Sequence, residues 1–145
     1  MVWDRVAGMG VDEVVVTKEN TMVTELDKDT LFNTIKEDGF LHIVMYYGKT
    51  CGPCVLTKPT LEMVEQYFSS LDAKIKFYSF HCWQDDHRAF LAEHNMTMKG
   101  VPTFVAYYQG ENIFQRSGGF GTKVPLLNTV FQVMDAVKRT IGVTL

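Results

Sequence analysis

The run Phe40 to Tyr47 (FLHIVMYY) is almost continuously apolar. A strand of this composition has to be covered on both faces, so it belongs at the centre of a sheet with helices on either side. It leads into Gly48-Lys49-Thr50 and then Cys51-Gly52-Pro53-Cys54, after which Leu61, Val64 and Phe68 recur at helical spacings of three and four. The two cysteines therefore fall where a buried strand ends and a helix begins. Pro59 lies within that helix and predicts a kink, because proline has no backbone N–H to donate.

The rest of the chain keeps the same alternation. Met22–Leu26 (MVTEL) reads as a short strand. Asp29 or Thr30 can cap a helix through Leu31, Phe32 and Ile35 that ends near Gly39. Lys74–His81 (KIKFYSFH) is a second long strand, and Asp85 or Asp86 starts a short helix with Phe90 and Leu91 inward. Thr103–Tyr108 (TFVAYY) and Ile113–Arg116 form a hairpin around Gln109-Gly110-Glu111-Asn112. Leu127, Val130, Phe131, Met134 and Val137 make the apolar face of a last helix. The order βαβαβαββα predicts an α/β fold, a central mixed sheet with helices on both faces. Residues 1–20 stand apart as an N-terminal extension to a domain over 21–145. There Gly8 and Gly10 read as loop. Val11–Thr17 is either a strand paired with 22–26 through Lys18-Glu19-Asn20 or part of a loose tail.

The chain of 145 residues is long enough to bury one core without a metal or disulfide framework. Its 17 acids against 14 lysines and arginines exclude a globally basic nucleic-acid binder. No apolar run approaches the ~20 residues of a transmembrane helix. Asp4, Arg5, Asp12 and Glu13 interrupt any signal-like stretch at the start, so a reducing cytoplasm is the expected compartment. Three cysteines argue against a disulfide scaffold and turn attention to redox or metal chemistry at the C-x-x-C.

At a helix start, unpaired N–H groups and the macrodipole favour an anion, so a cysteine there carries more thiolate at neutral pH. Two intervening residues let both sulfurs meet across the first turn. The first thiolate can then form a mixed disulfide that the second resolves. No carboxylate occurs between Asp38 and Glu62, while Lys49 and Lys58 fall in that window. From His94 to Met134 the only acid is Glu111. These charges tune the site electrostatically, or they simply reflect charge-poor buried strands. A zinc site from Cys51, Cys54, Cys82 and His81 or His87 is a further reading, weakened by the Gly-Pro between the cysteines and the lack of a second C-x-x-C. Cys82 reads as a small half-buried side chain or as a regulatory thiol. His42 reads as a structural histidine, and His87 and His94 as residues of a helix surface.

The chain resembles the thioredoxin family. The matching elements are Cys51-Gly52-Pro53-Cys54, Pro59, Gly100-Val101-Pro102-Thr103, the hairpin Gly110, and Gly118. The resemblance covers about residues 22–140. It implies a thioredoxin fold and a thiol–disulfide oxidoreductase that needs no bound cofactor. Cys51 would be the exposed nucleophile and Cys54 the more buried resolving thiol. Thr50, Gly52 and Pro53 would support the site. Pro102 would be cis, the Val101 backbone would pair with an extended substrate, and Gly118 would line the same groove. The implied partners are disulfide-containing proteins and a thioredoxin reductase or equivalent donor, with the protein itself a monomer. Fold and function are separable. An accessory subunit that does not use its thiols, and a more oxidising oxidase or isomerase, therefore stand as alternatives.

The sequence departs from the family in ways that bear on mechanism. Thr50 replaces the usual Trp before the first cysteine, and Tyr47 is expected to pack in place of a second Trp. Met45 occupies the place of the buried Asp, and Ser79 aligns near its Lys partner. Losing both together is coherent, because a lone buried charge is costly. It removes the usual proton acceptor for the resolving thiol, so Cys54 is expected to lose its proton to water or to His81, with slow resolution. About seven extra residues lie between Cys54 and Pro102, which marks a divergent member.

Overall fold

The computed structural model describes residues 23–145. Strand β1 (Thr24–Leu26) leads to helix α1 (Leu31–Ile35), β2 (Leu41–Tyr47), α2 (Gly52–Ser70), β3 (Ile75–His81) and α3 (Asp85–Glu93). The hairpin β4 (Thr103–Tyr108) and β5 (Glu111–Ser117) follows, then α4 (Lys123–Ile141). The element order is the expected one. The expected 11–17 strand and its hairpin lie outside the described residues. Among the described residues, no helix is long and apolar enough to cross a membrane.

The sheet order is β1-β3-β2-β4-β5. Strands β1, β3 and β2 run parallel, while β4 and β5 pair antiparallel. Because strand side chains alternate, β2 serves two cores. Leu41, Ile43 and Met45 pack with Leu61, Val64 and Phe68 of α2 and Val130, Val133 and Val137 of α4. Val44 and Tyr46 pack on the other face with Leu31, Ile35, Phe80 and Leu91. On that face the Tyr46 and Tyr107 hydroxyls satisfy each other at 2.7 Å.

Several local expectations are corrected. The buried stripe of α4 is Leu126, Val130, Val133 and Val137, while Phe131 is exposed. Leu127 and Met134 flank that stripe, because neighbouring apolar residues make two overlapping faces equally plausible. Neither Asp29 nor Thr30 caps α1 with its side chain. Instead Asp27 Oδ1 accepts from the N–H groups of Asp29 (2.9 Å) and Thr30 (3.0 Å) in the turn before the helix. The hairpin turn tightens to Gln109-Gly110, both at positive φ, and β5 extends to Glu111. Pro59 lies inside α2, where the sequence reading placed it, and the helix continues to Ser70.

His87 is buried, not on the helix surface. Its Nδ1–H donates to the His81 carbonyl (2.9 Å), which leaves Nε2 to accept from the Lys28 N–H (3.3 Å). The ring therefore stitches α3 to the β1–α1 turn, and it stacks on Phe80. His94 is exposed, as expected.

His42 is the fully buried structural histidine that the sequence suggested. Its Nε2–H donates to the Glu37 carbonyl (2.9 Å), and Nδ1 accepts from the Tyr78 hydroxyl (3.0 Å). Burial holds its pKa below the usual value of 6.5. Below that pH the unfolded chain takes up a proton that folded His42 resists, so stability falls as pH drops. Denaturant melts from pH 7.5 down to 5.5 are expected to show this loss, and the His42→Gln variant to show a shallower slope.

Candidate active site

The end of β2 and the start of α2 build the site. Cys51 is the N-cap of α2, in extended backbone geometry, with Gly52 and Pro53 opening the first turn. Pro53 suits that turn, because its missing N–H lies where no intrahelical acceptor exists. Cys51 and Cys54 are disulfide-bonded, with Cα atoms 5.2 Å apart. The Cys54 N–H points at Cys51 Sγ (3.2 Å), so one of the helix's free donors is already directed at that sulfur. The Cys51 carbonyl accepts from Val55 (3.2 Å) and its N–H donates to Gly48 (3.3 Å). Thr50, Gly52 and Pro53 are exposed around the pair. In this disulfide form Cys51 is not the exposed sulfur expected: it is 6% accessible against 3% for Cys54, so only the order holds.

Two further segments close on the pair. The Val101–Pro102 peptide bond is cis, and the Val101 carbonyl oxygen lies 3.6 Å from Cys51 Sγ. The Pro102 carbonyl accepts from the Gly118 N–H (2.9 Å). Gly118 sits at φ +112°, a conformation that favours glycine. Thr57, one turn into α2, holds the third segment. Its hydroxyl donates to the Pro53 carbonyl (2.7 Å) and accepts from the Phe120 N–H (2.9 Å). Gly119 passes so close that an added Cβ would lie 2.6 Å from Thr57 Oγ1. The Trp83 ring packs against Gly48, where any Cβ would collide with it, while 41% of Trp83 stays open to solvent. Val55 and Leu56 on the first turns of α2 are also exposed. The disulfide thus has an apolar rim.

Behind Cys54 lies a cavity of about 280 Å³ lined by Met45, Tyr47, Lys49, Val55, Lys58 and Ser79. The two lysines of the carboxylate-free window therefore do reach the site. His81 does not line this cavity; its ring stacks on Tyr47 instead. From the wall of the cavity, Ser79 Oγ–H donates to Glu25 Oε1 (2.6 Å) and Tyr47 O–H to Glu25 Oε2 (2.9 Å). Burial, and then the bond to Glu25, push the Tyr47 hydroxyl well above its ordinary pKa.

A family model for thioredoxin matches residues 22–131. The chain belongs to the thioredoxin family. Solved thioredoxins share its fold. Spinach chloroplast thioredoxin f is 18% identical, covering 85% of this chain and 99% of that one, with a TM-score of 0.65. Malassezia sympodialis thioredoxin is 19% identical over 83% and 96%, with a TM-score of 0.62. A chain from the crystal structure of the ferredoxin:thioredoxin reductase and thioredoxin f2 complex is 20% identical over 79% and 97%, with a TM-score of 0.65. No curated protein sequence matches significantly.

The fold places Cys51, Cys54, Val101, Pro102 and Gly118 next to one another. Among the described residues, no three His, Cys, Asp or Glu side chains are grouped to hold a metal ion. Cys82 is buried in the opposite core, its Sγ–H donating to the Tyr47 carbonyl (3.5 Å), and burial pushes its thiol up to about 11. The sequence reading missed Glu25, Thr57, Gly119 and Trp83. Only the pairing of β1 with β3 brings Glu25 to the site, and only tertiary packing brings the others.

Two outcomes follow from this geometry. Gly119→Ala should displace the 117–120 segment or break the Thr57 bonds, lowering stability by about 1–3 kcal/mol in a denaturant melt. After reduction at pH 7, iodoacetamide should modify Cys51 rapidly and Cys82 only on denaturation, as read by peptide mapping.

Proposed function

We propose that the protein reduces disulfides in other proteins through the Cys51–Cys54 pair. The observation that carries this reading is the position of the pair at the start of α2, with the Cys54 N–H aimed at Cys51 Sγ. That donor and the helix dipole stabilise a Cys51 thiolate. The thiolate attacks one sulfur of a substrate disulfide and expels the other as a thiol, leaving a mixed disulfide on Cys51. Cys54 then attacks Cys51 Sγ, which releases the second substrate thiol and closes the Cys51–Cys54 disulfide. Two electrons pass to the substrate, and the balance needs no bound cofactor.

The groups around Cys51 suit a polypeptide substrate. The Val101 carbonyl, beside Cys51 Sγ, can accept a hydrogen bond from an extended chain. Gly118, with open space where a side chain would stand, leaves room beside Pro102, and Trp83, Val55 and Leu56 offer apolar contact. A reductase is the proposed electron donor, in keeping with the reductase complex formed by thioredoxin f2. A reducing cytoplasm is the proposed setting.

An insulin-reduction assay with dithiothreitol tests the reading. Cys51→Ser should abolish turnover, and Cys54→Ser should accumulate a mixed disulfide detectable by mass. Equilibration in thiol buffers should give a potential near the roughly −270 mV of thioredoxin. A value near about −180 mV would reassign the protein as an oxidase or isomerase. The absence of any reversible couple would leave only an accessory role.

A further inference from the structure

The structure binds a carboxylate to the wall of the cavity behind Cys54, and that carboxylate comes from β1, the outermost described strand on that side. Glu25 on β1 pairs in register with Ser79 on β3, and Ser79 with Met45 on β2. These three positions form one row across the sheet, on the face that carries Met45 and α2. Ser79 and Tyr47 both line the cavity that also touches Cys54, and both spend their hydroxyl protons on the two oxygens of Glu25. A carboxylate held on both oxygens is fixed in place. Glu25 is also exposed, so a proton reaching it can pass on to bulk solvent.

We propose that Glu25 accepts the proton that Cys54 gives up when it resolves the mixed disulfide. This deepens the disulfide-reductase reading and rests on it. A cavity of about 280 Å³ admits water. The Cys54 thiol proton moves through such water to Ser79 Oγ as the Ser79 proton moves to Glu25 Oε1. The Cys54 thiolate forms its bond to Cys51 Sγ, the Cys51–substrate bond breaks, and the substrate leaves as a thiolate. The charge and the proton both balance. Lys49 and Lys58, on the same cavity, favour the Cys54 thiolate as it forms. Among the described residues, Glu25 is bonded by Tyr47 on β2 and Ser79 on β3, with His81 stacked on Tyr47.

Stopped-flow reaction of the fully reduced protein with limiting Ellman's reagent separates the two steps. The first nitrothiobenzoate reports attack by Cys51, and the second reports resolution by Cys54. In the wild type the second phase should vary little between about pH 5.5 and 8. In Glu25→Gln it should be slower at pH 7 by roughly 10- to 100-fold and should climb with pH, tracking the thiolate fraction. Ser79→Ala should slow it in the same direction, Glu25→Asp should restore part of the flat profile, and His81→Gln should keep it. An unchanged first phase in each variant shows that the site is folded. Two phases with the same pH profile in wild type and Glu25→Gln would overturn the role of Glu25 and leave the reductase reading intact. Loss of the flat profile in His81→Gln alone would give the role to His81. Release of a single nitrothiobenzoate by the wild type would overturn both readings, since Cys54 would then resolve nothing.

Discussion

Strand β2 is hydrogen-bonded along both edges, to β3 in parallel and to β4 antiparallel. Neither edge is free, so its position and its end point are fixed by two ladders. The loop at its C-terminal end delivers Cys51 to the start of α2, while the antiparallel neighbour β4 begins beside it, at Thr103. Parallel pairing alone would carry the start of the next strand to the far end of the sheet. The change of direction at β4 is what brings the Val101–Pro102 bond to the cysteines. The clasp of Thr57 on Pro53 and Phe120 then ties in the third segment.

The buried histidines and the Tyr46–Tyr107 pair share one pattern. Each buried histidine has both ring nitrogens engaged, one of them by a backbone carbonyl, and the buried Tyr46 and Tyr107 hydroxyls bond each other. Such pairing is what makes polar burial tolerable, because an unsatisfied buried group costs about 1–3 kcal/mol. Glu25 differs in being accessible, and its two hydroxyl donors serve to hold it rather than to repay burial. An exposed carboxylate at position 25 avoids the desolvation that one at position 45 would meet among apolar neighbours.

How far the sequence could be read depended on the range of the interactions involved. β2, the cysteine pair and the helix after it were legible, because an unbroken apolar run and a turn residue pair are local signals. So were the β4–β5 hairpin and the joining of Val101, Pro102 and Gly118 to the cysteines, the latter through family resemblance. The buried face of α4 was not, because Leu126-Leu127, Val130-Phe131 and Val133-Met134 offer two stripes one residue apart. His87 looked like a surface residue because its partners, the His81 carbonyl and the Lys28 N–H, come from other parts of the chain. Glu25 was invisible for a related reason: the register of two parallel strands is written in neither strand alone.

The alternation of β2 carries a consequence for how such a chain can diverge. Met45 and Tyr47 look toward the disulfide, while Val44 and Tyr46, one residue away, look into a core built by α1 and α3. The sheet acts as a partition. Changes on the far side reach the cysteines through the β2 backbone, which is pinned by ladders on either edge, and through Val101, which packs on that core. A lineage can therefore vary the α1–α3 core, away from Val101, with little displacement of the cysteine pair. Substitutions at Met45 and Tyr47, by contrast, alter the cavity that touches Cys54.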